Sequence, residues 1–373
     1  MECALLANRH IAVTVLGVAS KKIRRRPKDT APAQRCGAAQ KIRRQWLVWD
    51  KGLDYLMNNF VKGELAGAAG GSRAAIPAQK VTSAIVTAAG LGTRMWPATR
   101  VTQKELLCVI DRPALDYVLD ELANAGIERV IVPVGRHDVS VGRYLAPQSP
   151  GAGAGPVPDD HHGMSIQVTE ALDPLGLGHS LLKAYAHLDG GTCAVALGDN
   201  LIDPQVAVLP RLMAEHRRTG KSVIAVTRVS PHETSRYGCA QVEATDRADV
   251  WRIRRIVEKP APASAPSDIV CIGRYVLTPG LFDVLAEAGP GLNGEVQLSE
   301  AIDRLADSDL VHGVNFDDVR YDIGSGLGLA RATIEIGLRR SDIGQEVAAI
   351  TRQALAGHLS RLSQSHRPPV VKP

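Results

Sequence analysis

The chain has 373 residues, 45% of them hydrophobic, with six cysteines dispersed at positions 3, 36, 108, 193, 239 and 271. That length and apolar content exclude a small disulfide-held scaffold, and with no C-x-x-C pair neither a zinc site nor a disulfide framework is suggested, so a reducing cytoplasm is expected. The net charge of +5 is concentrated: 15 of 44 Lys+Arg and 5 of 39 Asp+Glu fall in residues 1–80, which leaves a mildly acidic body of 29 cations against 34 anions.

The N-terminal arm carries "KKIRRRPK" at 21–28 and "KIRR" at 41–44. A nucleic-acid or membrane-surface patch is one reading; a disordered extension is favoured, because no aromatics interleave with the charges. "IAVTVLGVA" at 11–19 precedes the basic cluster, the reverse of a secretory signal, and is too short to span a bilayer. Neither nucleic acid nor membrane is therefore expected as a partner. "ELAGAAGGSRAAIPAQK" at 64–80 has the composition of a linker. The chain thus divides into a basic extension and linker (1–80), a folded body (81–345) and a C-terminal helix with a frayed tail (346–373).

From residue 81 strands and helices alternate. The run at 83–89 predicts a buried strand. The stretch 113–127, with Leu115, Val118, Leu119 and Leu122 at helical spacing, predicts a helix with Pro113 in its first turn. Strands follow at 129–135, 165–171, 193–199 and 222–229, helices at 178–188 and 209–218, and a Gly/Pro loop at 149–160. This alternation implies an α/β architecture, a mainly parallel sheet covered by helices on both faces. Three strand candidates with little helix between them, 238–244, 250–258 and 269–277, predict a mixed extension of that sheet. Amphipathic helices at 296–307 and 326–340 either pair subunits into a homo-oligomer or cap the sheet.

The chemistry concentrates where strands end. "AAGLGTRMWPATRVTQKELL" leaves the first strand through Gly90 and Gly92, which let backbone N–H groups face an anion, and Arg94 and Lys104 add positive charge suited to a polyphosphate. The loop is neither a G-x-G-x-x-G fingerprint, since Met95 replaces the third glycine, nor a Walker loop, since no G-K-[ST] is present. Asp199 ends the apolar run 193–199, and Asp322 follows another short strand in "YDIGSG". Two carboxylates at strand ends opposite a phosphate-binding loop suit Mg²⁺; the alternative for each is a turn or helix cap. Lys259, in "VEKP", reads singly as a surface lysine.

Taken in order, these pieces resemble the sugar-1-phosphate nucleotidylyltransferases, most closely the bacterial UTP–glucose-1-phosphate uridylyltransferases. Besides the glycine loop they are "PLGLGHS" (174–180), "LGDN" (197–200), "RYG" (236–238), "VEKP" (257–260) with "GRY" (273–275), and "GEVQLSEAID" (294–303) leading into "YDIGSG". The resemblance covers about residues 81–340. It implies a Rossmann-like nucleotidyltransferase fold with a mixed, mostly parallel central sheet flanked by helices. It also implies that the backbone of Ala89, Gly90 and Gly92, with Gly176, lies against the nucleotide, that Arg94 and Lys104 hold its phosphates, and that Asp199 and Asp322 bind Mg²⁺. Lys259 would contact the sugar phosphate, and Glu258 with the Gly238 backbone would read sugar hydroxyls.

At the position where the family carries a base-reading glutamine, five residues before Gly176, this chain has Ala171, with Glu170 beside it. Alanine offers no amide, and a carboxylate accepts hydrogen bonds, which favours a donor-rich base edge such as guanine's. Two substrate pairs therefore stay open: UTP with glucose 1-phosphate, and GTP with a cyclitol phosphate, as in the related valienol-1-phosphate guanylyltransferase of validamycin (antibiotic) biosynthesis. A non-catalytic nucleotide-sugar-binding homologue is the third alternative. It is disfavoured because Arg94, Lys104, Asp199, Lys259 and Asp322 are all present.

Overall fold

A computed structural model describes residues 80–135, 139–146, 163–171, 175–289, 291, 294–308, 310–317 and 320–365. The basic arm, all but the last residue of the linker, the Gly/Pro loop at 149–160 and the tail beyond 365 lie outside them.

The chain enters the sheet through β1 (Ser83–Thr87) and passes three short 3-10 turns to the small hairpin β2 (Cys108–Val109) and β3 (Arg112–Pro113). Then come α1 (Ala114–Asn124), β4 (Arg129–Gly135), α2 (Ser140–Leu145), β5 (Ser165–Ala171), α3 (Leu177–Tyr185), β6 (Cys193–Leu197) and β7 (Asn200–Ile202). The order continues with α4 (Val208–Thr219), β8 (Ser222–Arg228), β9 (Gly238–Ala244), β10 (Val250–Glu258), β11 (Ile269–Leu277), α5 (Pro279–Glu287) and α6 (Leu298–Ala306). It closes with β12 (Val311–Asn315), β13 (Arg320–Asp322), α7 (Gly326–Arg339) and α8 (Gly344–Ser365). No described helix is long and apolar enough to cross a membrane.

Nine strands form one sheet in the order β5-β4-β1-β6-β11-β8-β12-β10-β9. The first four pair in parallel, while β11 runs antiparallel to both β6 and β8, and β10 antiparallel to β9 and β12. The strand period of two sorts side chains into two cores. Ala84, Val86 and Ala88 face one side, with α1, α4 and α7; Ile85 and Val195 face the other, with α3, α5 and α6. The result is the expected three-layer α/β arrangement.

The three late strands join the same sheet, but β11 lies at its centre instead of extending an edge. Its sequence, IVCIGRYVL, is buried along almost its whole length, and a strand apolar on both faces is stable only where both are covered. β9 and β10 carry exposed polar positions and occupy the rim. Pro113 sits at the N-cap of α1 with ψ 145°, one residue outside the helix it was expected to begin. The hairpin β2–β3, α2, β7, α5 and β12 were not anticipated from the sequence; the opening Pro279-Gly280 of α5 looks like a turn but places proline at a permitted first-turn position.

Candidate functional site

At the carboxyl ends of β1 and β6 a cleft of about 1040 Å³ opens, the position where α/β sheets hold ligands. The loop after β1 forms its floor with Ala89, Gly90 and Gly92. Gly92 takes φ 59°, ψ 27°, a left-handed conformation that glycine adopts without penalty, and its carbonyl accepts a 2.7 Å hydrogen bond from the Thr99 hydroxyl. The turn is thereby fixed, and Arg94 and Lys104 project from the first and third of the 3-10 segments that follow it, Thr93–Met95 and Lys104–Leu106.

The two acidic residues come together through a separate two-stranded ribbon. β7 and β13 pair antiparallel with Asn200 opposite Asp322, and the Ile323 N–H donates to the Asp199 carbonyl at 3.0 Å. A methyl placed on Gly324 would meet Asp322 Oδ1 at 3.0 Å, Asp199 Oδ2 at 3.2 Å and Arg94 Nη2 at 2.6 Å, so both carboxylates converge on one point. Gly328 is what lets this happen: a Cβ there would fall 1.8 Å from the Asp322 carbonyl oxygen, so α7 can start beside β13 only with a bare backbone.

Each carboxylate is held by cations. Lys104 Nζ lies 2.6 Å from Asp199 Oδ2 and 3.7 Å from the buried Glu105. Burial pushes the Lys104 ammonium toward a lower pKa, but Asp199 and Glu105 outweigh that, so its pKa is raised and the side chain keeps its proton. Asp322 accepts from Arg94 at 3.4 and 3.5 Å and from Arg236 at 2.7 Å.

The facing wall is built by β9 and β10. Gly238 pairs with Glu258, and Lys259 follows with φ 43°, its N–H donating to the Tyr237 carbonyl at 3.0 Å and its ammonium 3.3 Å from Glu258. Gly238, Glu258 and Lys259 all line the cleft, as does Gly176, which has φ 93° and caps α3. Ala171 is the last residue of β5 and is registered against Gly135, itself a cleft residue. Glu170 beside it is exposed.

Sequence reasoning gave no role to Arg236, Glu105 or Arg274. Arg236 stood in plain sight within "RYG". Arg274, within "GRY", is wholly buried; it pairs with Glu121 at 2.8 Å and donates to the Leu197 carbonyl at 3.2 Å, bracing the end of β6, two residues before Asp199. Cys193 is buried, whereas Cys271 is half-buried and borders the cleft.

Among the described residues no group of three or more His, Cys, Asp or Glu could cage a metal. A pair of converging carboxylates nevertheless fits a hard divalent ion that takes its remaining oxygens from water and phosphate. The cations now resting on both acids show how much positive charge this point demands.

Paired acids and surrounding cations at the carboxyl edge of an α/β sheet serve phosphate chemistry, and the chain is a nucleotidyltransferase of this architecture. Residues 83–337 match the family described as nucleotidyl transferase, and the chain belongs to it. UTP–glucose-1-phosphate uridylyltransferase 2 of Staphylococcus saprophyticus is 34% identical over 286 residues, covering 74% of this chain and 98% of its own length. The UTP–glucose-1-phosphate uridylyltransferase of Staphylococcus epidermidis is 33% identical over 285 residues, covering 74% and 99%. Among solved structures, a UDP-glucose pyrophosphorylase complexed with UDP-glucose aligns with a TM-score of 0.64 and 30% identity, over 70% of this chain and 100% of that one. UTP-bound UGPase from Acinetobacter baumannii aligns with a TM-score of 0.64 and 29% identity, over 73% and 98%.

Proposed function

We propose that this protein joins a nucleoside triphosphate to a sugar 1-phosphate, releasing pyrophosphate, and that its substrates are UTP and glucose 1-phosphate. The observation that carries the reading is the convergence of Asp199 and Asp322 with Arg94 and Lys104 in a cleft that Lys259 also lines. The substrate choice is supported by the uridylyltransferases at 33–34% identity.

In this reading Arg94 and Lys104 hold the triphosphate over the glycine turn. Lys259 holds the 1-phosphate, and Glu258 with the Gly238 backbone orients the sugar. An oxygen of the sugar phosphate bonds to the α-phosphorus while the bond from that phosphorus to the bridging oxygen breaks, and the electron pair leaves with pyrophosphate. The attacking oxygen is already anionic, so no protein base or nucleophile is required. The side chains instead overcome the repulsion between two polyanions and keep them in line. Asp199 and Asp322 are the residues that would hold Mg²⁺, which supplies charge neutralisation across the reacting phosphates.

The test is pyrophosphate release measured with ATP, CTP, GTP, UTP and dTTP, each against a panel of sugar and cyclitol 1-phosphates. UTP with glucose 1-phosphate is expected to give the highest kcat/KM. GTP stays in the panel because Ala171 ends β5 with Glu170 beside it; a preference for GTP with valienol 1-phosphate would move the substrates to that alternative. No turnover with any pair would end the enzymatic reading.

A further inference from the structure

Arg236 has no counterpart in the roles assigned so far, yet it makes the shortest contact to Asp322. Its Nη2 lies 2.7 Å from Asp322 Oδ2, against 3.4 Å for the nearer Arg94 nitrogen. The same oxygen accepts from both arginines, and the Asp322 side chain is only 12% exposed. Lys104 engages Asp199 in the same way. The two carboxylates that converge on one point are therefore paired with three protein cations.

Arg236 differs from the other two in where it is rooted. It ends the turn Pro231–Arg236 and precedes Tyr237 and Gly238, on the wall that also bears Lys259. That backbone is pinned: the Arg320 guanidinium covers the Tyr237 ring at 4.0 Å, and the Tyr237 carbonyl accepts from Lys259. The Arg236 side chain, 40% exposed, reaches from this wall across to the β7–β13 ribbon. A long side chain on a fixed root, paired with a carboxylate that lines the cleft, can change partners without moving the backbone.

We propose that Arg236 is an exchangeable counter-ion: it occupies a cation-binding oxygen of Asp322 when the cleft is empty, and transfers to phosphate oxygens when a metal-bound polyphosphate arrives. The inference rests on the nucleotidyl-transfer reading. It makes metal and polyphosphate binding mutually reinforcing, because the metal frees Arg236 for the anion and the anion draws Arg236 off the metal's ligand. Such coupling is reciprocal.

The test uses two probes on the full chain: Mn²⁺ alone, followed by electron paramagnetic resonance, and inorganic pyrophosphate in Mg²⁺ buffer, followed by calorimetry. Arg236→Ala should bind Mn²⁺ roughly five- to tenfold more tightly than the unaltered protein and metal-pyrophosphate more weakly by a similar factor. Arg236→Lys should fall between the two proteins on both readouts. A side chain that only braced the loop would shift both affinities the same way or neither, and either pattern overturns the proposal. If Arg236→Ala fails to fold, Arg236→Gln, which keeps the stem and drops the charge, replaces it with the same opposed shifts expected. Asp322→Asn separates this inference from the one beneath it: weaker Mn²⁺ binding there with no tightening in the Arg236 variants rejects the exchange alone. Unchanged Mn²⁺ binding in Asp322→Asn rejects the acidic pair as a metal site.

Discussion

Lys259 carries φ 43°, a backbone state that a lysine rarely visits and that costs of order 1–3 kcal/mol. It persists because its N–H is tied to Tyr237 and β10 ends immediately before it. The strain aims the ammonium into the cleft from a wall that faces the glycine turn. Lys259→Ala and Asp199→Ala should each lower kcat by about 10²- to 10³-fold, the loss expected when one preorganised electrostatic contact to a transition state is removed. Circular dichroism should show both variants folded, since Lys259 is mostly exposed and Lys104 keeps Glu105 beside it when Asp199 is removed; full turnover in either variant would contradict its role. At this scale the charged residues were readable because each stands at the end of an apolar run or inside a motif. Gly328 was not readable, since its importance lies in a close approach between β13 and α7 that no local pattern encodes.

Among elements, β11 holds the least expected position. The alternation of strands and helices announced the parallel half of the sheet, and the ranges predicted for β4, β5, β9, β10 and β11 coincide with those observed. Pairing order was another matter, because local periodicity records which faces are buried and not which strand lies alongside. The Arg274 side chain shows what central placement requires: a guanidinium with no exposure, matched by Glu121 from α1 and by two backbone carbonyls. Glu121→Gln should therefore destabilise the protein by about 3–5 kcal/mol in urea unfolding, because it leaves a buried charge without its partner. Removing both charges together, with Arg274→Met and Glu121→Leu, should cost less than the single change. A Glu121→Gln protein as stable as the original would show that this pair carries no structural weight.

For the whole molecule, the family match begins at residue 83, close to where the described residues begin. The concentration of basic charge before residue 81 therefore lies outside the matched residues. Removal of residues 1–75 should leave kcat and KM within about twofold of the full chain; loss of turnover on that deletion would assign the arm a catalytic part. The sheet itself has two halves of different character, β5-β4-β1-β6 carrying the glycine turn and Asp199, and β8-β12-β10-β9 carrying Gly238 and Glu258. Within the sheet β11 joins them, laced to β6 on one side and β8 on the other and swerving at Gly273, a residue of the cleft. A shared strand is a stiffer joint than a tether of loop. The spacing between the glycine turn and the Gly238–Glu258 wall is in this way written into the backbone, and a swap of either half for a homologous one would have to rebuild that seam to keep the cleft.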